Sequence, residues 1–163
     1  MTTDVDTVDL TALFGRYRSE LDEFLRTSVP AGRSAPELFA ILRYHLGWVD
    51  ESFAPTTARG GKMLRPLFCL LACRAAGGEY QQALPAAASL ELLHNFSLIH
   101  DDVEDRGTER HGRKTVWARW GEALAVNAGD ALLIVAELTL LRSLDAGLQP
   151  ERVLAMSRSL NEC

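Results

Sequence analysis

Apolar residues recur at intervals of three and four along almost the whole chain, and no stretch alternates with a period of two for long enough to build a sheet. That periodicity confines the chain to packed helices, so the expected class is all-α, a helical bundle. Leu10, Leu13, Phe14, Tyr17, Leu21, Phe24 and Leu25 predict a helix over Val8 to Thr27, closed by Pro30 and Gly32. Glu37 to Phe53 repeats the pattern through Leu38, Ile41, Leu42, Leu46, Val49 and Phe53, with Ser34 and Pro36 as start signals. From Lys62 to Ala76 the chain is apolar on most faces, which predicts a central helix ending at Gly77-Gly78, with Pro66 tolerated in its first turn. Longer helices are expected over Leu84 to Asp105 and Val116 to Leu144, the latter bent near Gly121 or Gly129, and a last one over Glu151 to Leu160 after Pro150.

With 163 residues, 47% of them hydrophobic, and no repeat or low-complexity tract, residues 1–163 read as one helical domain with a single core. The net charge of −5 excludes a general basic surface for nucleic acid, so an anionic substrate must be held by local cations or by a metal. Asp4, Asp6 and Asp9 precede any basic residue, which argues against a secretory signal. Ala123 to Leu141 is apolar but interrupted by Asn127, Asp130 and Glu137, so a buried helix is expected rather than a membrane span. The cysteines are odd in number, and Cys69 and Cys73 sit four apart in an apolar run without nearby histidines. They read as reduced core residues, and the expected compartment is the cytoplasm.

Asp101-Asp102-Val103-Glu104-Asp105 is the sharpest chemical signal, four carboxylates in five residues directly after an apolar helix. Asp101 and Asp105 lie one turn apart on one face with Asp102 beside them, and such close like charges call for a cation between them. Magnesium takes carboxylate oxygens together with phosphates and waters, so Asp101, Asp102 and Asp105 are the candidate metal ligands. Their place at a helix C-terminus opposes the macrodipole, which a plain solvated helix end would avoid. Glu91, His94, Leu98, Asp101 and Asp105 fall on one stripe, so His94 points toward the acids. In Gly60-Gly61-Lys62-Met63-Leu64-Arg65-Pro66, glycines allow close backbone approach while Lys62 and Arg65 share a face at a helix N-terminus, a phosphate-binding arrangement. Arg110-His111-Gly112-Arg113-Lys114-Thr115 adds cations for a second anion or for the free acids. Asn127-Ala128-Gly129-Asp130 is expected to be a buried, hydrogen-bonded patch, with glycine allowing close helix approach.

Together these stretches resemble the trans-isoprenyl diphosphate synthase (polyprenyl synthetase) family over essentially the whole chain, but only that family's N-terminal half. The Gly-Gly-Lys-x-x-Arg-Pro motif matches Gly60 to Pro66, the first aspartate-rich motif matches Asp101 to Asp105, and the Arg-Arg-Gly-x-Pro-Thr stretch is similar to Arg110 to Thr115. Leu92 to His100 and Asn127 to Leu132 look similar too. The resemblance implies a magnesium-dependent prenyltransferase that ionises an allylic diphosphate, adds isopentenyl diphosphate to the cation, and passes a proton to the departing diphosphate. It places isopentenyl diphosphate on Lys62, Arg65 and His94, with His111 at the second arginine position. It places Mg2+ and the allylic diphosphate on Asp101, Asp102 and Asp105, with Arg110 also on the allylic diphosphate. Met63, His111 and Lys114 depart from the usual Arg, Arg and Pro, which implies weaker isopentenyl diphosphate binding.

Family members are substantially longer and carry a second aspartate-rich motif in the rear half, which this sequence lacks. The active site is therefore expected to be incomplete in this chain, little active alone, and completed in a homo- or hetero-oligomer by a chain supplying that motif. Two other readings are a non-catalytic or regulatory subunit of a heteromeric prenyl synthase and part of a class I terpene cyclase. Lys62, Arg65 and His94 favour elongation, because a cyclase needs no isopentenyl diphosphate site. Phe96 and Ser97, five and four residues before Asp101, lie where the resemblance puts the floor under the growing tail, which points to geranylgeranyl diphosphate as product.

Overall fold

The structure, a computed structural model, describes residues 10–30, 35–56, 61 and 63–162. It is all-helical: α1 (Leu10–Ser28), α2 (Pro36–His45), α3 (Leu64–Ala75), a 3₁₀ turn at Tyr80–Ala83, α4 (Leu84–Glu104), α5 (Val116–Trp120), α6 (Glu122–Leu141) and α7 (Pro150–Asn161). Lys62, Gly60 and Cys163 lie outside the described residues.

α4 is the central helix, packed most extensively on α6 and also on α1, α3 and α5. Ala87, Ala88, Leu92 and Ile99 of α4 meet a core to which α6 contributes Ala125, Ala128, Leu132 and Ala136, and α1 contributes Tyr17, Leu21 and Leu25. α6 is long and apolar enough to cross a membrane. Here its inner side is bundle core, while Ile134, Leu138 and Leu141 on the other side are exposed.

Several expectations are corrected. α2 stops at His45, eight residues before Phe53, because Gly47 adopts φ 78 and closes the helix: Trp48 N–H donates to the Arg43 carbonyl and Gly47 N–H to that of Tyr44, both at 2.9 Å. Trp48 and Val49 then turn into the core. α3 is not enclosed, since Leu64 and Phe68 are 53% and 64% exposed. The helix expected over Val116 to Leu144 is broken at Gly121, φ 90. Cys69 and Cys73 are free thiols, half-buried rather than core. A short antiparallel hairpin, β1 (Glu109–Arg110) with β2 (Arg113–Lys114), also appears, pairing Glu109 with Lys114 and Arg110 with Arg113. No alternating stretch announces it, because so short a ladder requires only its turn. His111 and Gly112 both have positive φ (54 and 73), the type I′ geometry that suits strand twist.

Gly129 is buried where α6 meets α4 and does not bend α6, whereas Asn127 and Asp130 are exposed rather than buried. The glycine makes room for His100: a Cβ at position 129 would overlap the imidazole, which is held edge-on against Phe96 with centroids 4.7 Å apart. Gly129→Ala should therefore cost about 1–2 kcal/mol through overpacking, despite the better helix propensity of alanine. In a His100→Ala background the same change should become stabilising by about 0.5–1 kcal/mol, as helix propensity then acts unopposed. Denaturant unfolding of the four variants measures both signs.

Candidate active site

The acidic motif occupies the last turn of α4, where no basic residue offsets it. The helix ends in a six-to-one turn, with Gly107 N–H on the Asp102 carbonyl at 3.0 Å, Arg106 N–H on that of Val103, and Arg106 in the left-handed region at φ 55. The chain then passes directly into the hairpin. Thr115 Oγ1 and Trp117 Nε1 each donate to the Gly107 carbonyl at 2.7 Å and fix the return strand beside the helix end.

This reversal sets Arg110 against Asp102. The guanidinium donates through Nη2 to Oδ1 at 2.8 Å and through Nε to Oδ1 and Oδ2 at 3.1 and 3.2 Å. Asp102 is buried, whereas Asp101 and Asp105 are exposed and carry no ion pair among the described residues. Hydrogen bonding to Asp102 holds Arg110 above its ordinary pKa against the cost of desolvation, and the charges of Asp102, Asp101 and Asp105 add to it. Arg110→Ala should destabilise the fold by about 2 kcal/mol, less than for a fully enclosed pair because Arg110 keeps solvent contact. Arg110→Lys should recover only part, since one ammonium cannot reproduce the fork. Thermal unfolding of both variants checks this.

A cleft of about 190 Å³ lies beside the pair, with walls that include Gly61, Arg65, His94, Asp102, Arg110 and His111. Arg65 of α3 reaches α4, its Nη1 donating to His94 Nε2 at 3.0 Å. His94 is thus a neutral ring with Nε2 as acceptor. Burial lowers its pKa, Arg65 and Arg110 lower it further, and Asp101 opposes them. One turn back along α4 from His94, Glu91 is buried, and that burial raises its carboxyl pKa against the amide bond from Asn95 and the charges of Arg65 and Arg18. Arg18 of α1 also reaches the glycine segment, Nη2 to the Gly61 carbonyl at 3.3 Å.

Arg113, read from the sequence as one of a basic cluster, turns inward instead. It donates to the carbonyls of Tyr44 (2.9 Å) and Val49 (2.6 Å) and lies 4.1 Å from the Tyr44 ring centroid. Tyr44 Oη returns a bond to the Lys114 carbonyl at 2.8 Å. The hairpin and the end of α2 are thereby clasped together, which brings His45 into the cleft wall. His45 carries no motif spacing, and Asn95 lies inside the Leu92 to His100 stretch without being singled out, so sequence reasoning missed both. The signal for His45 is Gly47, which ends α2 at the cleft.

The structure thus brings Arg65, His94, Arg110 and His111 into one cleft, with Asp102 in its wall. The three aspartates do not converge on one point, and no cluster of three or more metal-ligating side chains forms among the described residues. Magnesium requires no such cluster, since it takes one or two carboxylates plus phosphate oxygens and waters. The exposed oxygens of Asp101 and Asp105, one turn apart, fit that donor set. Phe96 is half-buried against His100, and Ser97 Oγ donates to the His94 carbonyl at 2.9 Å.

The helical scaffold is that of the prenyl synthases. It superposes on the crystal structure of a polyprenyl synthetase from Streptomyces coelicolor A3(2) with a TM-score of 0.82 and 36% identity, covering 94% of this chain and 44% of that one. A polyprenyl synthetase family model matches residues 47–162, and the chain belongs to that family. A (2E,6E)-farnesyl diphosphate synthase of Mycobacterium tuberculosis is 48% identical over 111 residues, 68% of this chain and 31% of the relative. A geranylgeranyl diphosphate synthase of the same species is 38% identical over 121 residues, 74% of this chain and 34% of the relative. The chain therefore spans about a third of the length of these curated relatives.

Proposed function

We propose that these residues form the front of the active site of a cytoplasmic, magnesium-dependent prenyltransferase that condenses isopentenyl diphosphate with an allylic diphosphate, geranylgeranyl diphosphate being the product. The observation that carries this reading is the cleft itself. Arg65 from α3, His94 from α4, and Arg110 and His111 from the hairpin meet in one cavity, beside a helix end whose Asp101 and Asp105 are unpaired among the described residues.

In this reading Lys62, Arg65, His94 and His111 hold the diphosphate of isopentenyl diphosphate, with the Lys62 and Arg65 cations offsetting its charge in a partly desolvated site. Asp101 and Asp105 hold magnesium. Asp102 belongs to the same carboxylate cluster and orients Arg110 toward the allylic diphosphate. Magnesium, when bound, neutralises charge developing on the leaving diphosphate. Phe96 and Ser97 stand about 7.5 and 6 Å back along α4 from Asp101 at helical rise, where a growing tail would meet the aromatic ring. The relatives named above include both farnesyl and geranylgeranyl diphosphate synthases, so product length is a proposal resting on this pair.

The test is a radiolabelled isopentenyl diphosphate assay on these 163 residues alone and in the assembly isolated from its host. Elongation is expected in the assembly, with little or none in the isolated chain. Robust turnover by the isolated chain would refute the incomplete-site reading, and an inactive assembly would refute the function. In the active assembly, Phe96→Ala should lengthen the dephosphorylated alcohols by at least one isoprene unit. An unchanged product would make Phe96 a packing residue only.

A further inference from the structure

Helical spacing places Phe96 about 140° around α4 from Asp101, so its backbone position alone does not carry the ring beneath the acidic face. The direction of the side chain decides that, and an aromatic residue within a helix has two common χ1 settings to choose from. A ring that stops a growing chain must keep one of them. Phe96 is half-buried, so enclosure does not fix it, but His100, one turn further along α4, bears directly on it. The two rings meet edge to face, with centroids 4.7 Å apart and planes at 66°.

His100 is itself held from the other side. Its Nε2 and Cδ2 atoms fill the space in which a side chain on Gly129 of α6 would begin. Nε2 also lies 3.4 Å from the Val126 carbonyl and 3.6 Å from Asp130 Oδ1, both on α6. The seat is a notch in the backbone of the helix that packs most extensively on α4, and packed backbone does not yield as a side chain would. Contacts therefore run in one line from the α6 backbone through His100 to Phe96. His100 is not part of the cleft wall, so this line is separate from the anion-binding cations.

We infer that His100 is a positioning residue for product length, seated in the Gly129 notch of α6 so that it holds the Phe96 ring across the path of the growing tail. This rests on the reading of Phe96 and Ser97 as the floor under that tail. An edge-to-face pair favours the seated ring over its alternative setting by roughly 2- to 10-fold. Ring settings exchange far faster than an enzyme turns over, so that ratio carries into the share of chains that grow one unit further.

The experiment is chromatography of the dephosphorylated alcohols made by the assembly isolated from its host, with the wild-type chain replaced by variants. In His100→Ala the share of alcohols at least one isoprene unit longer than the wild-type product should rise roughly 2- to 10-fold. The same substitution should add nothing in a Phe96→Ala background, since His100 acts only through that ring. Gly129→Ala added to His100→Ala fills the vacated notch and recovers stability but brings back no ring, so the longer alcohols should persist. If Phe96→Ala lengthens the product while His100→Ala leaves it as in wild type, the inference is wrong and the floor reading stands. The inference is equally wrong if His100→Ala lengthens the product further in the Phe96→Ala background, or if Gly129→Ala restores the wild-type length, which would make loosened packing the cause. An unchanged product in Phe96→Ala overturns the floor reading and the inference together. Where His100→Ala alone is too unstable to isolate, its combination with Gly129→Ala decides the same question against wild type.

Discussion

Asp101→Ala removes magnesium-dependent binding of an allylic diphosphate from the competent assembly, by on the order of 100-fold or more, as expected when a direct metal ligand is lost and not merely its support. Glu104→Ala leaves that binding within a few fold. The contrast follows from the helix. At 3.6 residues per turn, Asp101 and Asp105 define one face, and Asp102 and Glu104 flank it on opposite sides. The cleft is on the Asp102 side, since Asp102 lies in its wall and bonds Arg110. The charges of Asp102, Asp101 and Asp105 all act on Arg110. Calorimetry with a non-hydrolysable allylic analogue, with and without magnesium, measures both variants. Equal losses would contradict the facial assignment.

The 163-residue chain, purified by itself, associates into dimers or larger species at micromolar concentration. Ile134, Leu138 and Leu141 form a stripe along the outer side of α6 at 59%, 58% and 45% exposure, and Leu154 of α7 is 67% exposed. Spacings of four and three align the α6 side chains on one face. Covering each large aliphatic side chain gains roughly 1.5–3 kcal/mol, so a shared face of this size outweighs a good part of the entropy of association. Light scattering behind size exclusion measures the mass. Ile134→Glu with Leu138→Glu should shift the distribution toward monomer without loss of helical signal, because neither side chain belongs to the core. A clean monomer at every micromolar concentration tested would refute the prediction.

Much of this protein is legible in local pattern. Helix class, the break at Gly77 and the acidic end of α4 follow from periodicity, glycine placement and charge, all of which act between near neighbours in the chain. The facial arrangement of Asp101 and Asp105 follows as well, because helical geometry converts spacing directly into direction. The end of α2 at Gly47 was readable in principle, but the apolar run through Leu46, Val49 and Phe53 masks it. Leu46 and Val49 are apolar because the turn folds back into the core, while Phe53 beyond them is exposed and stacks on Trp120, and hydrophobicity does not distinguish a buried turn from a buried helix face.

What the cations do was decided only by tertiary structure. Arg110 and Arg113 stand three apart in one basic run, yet Arg110 pairs with a buried aspartate while Arg113 turns inward to clasp the end of α2. Charge and spacing are nearly the same for both. The difference arises because a positive-φ turn at His111 and Gly112 folds the hairpin between two helices and gives each side chain a different neighbour. Likewise Gly129 reads from sequence as a residue that allows close approach, but that it accommodates His100 emerges only when α4 and α6 pack. His45 enters the cleft by the same route. The sequence by itself determined which groups can bind an anion or a metal, through residue type and helical spacing. Which of them face one cavity depended on contacts between segments up to 70 residues apart, such as Tyr44 with Lys114. Periodicity within a helix carries no information about that pairing.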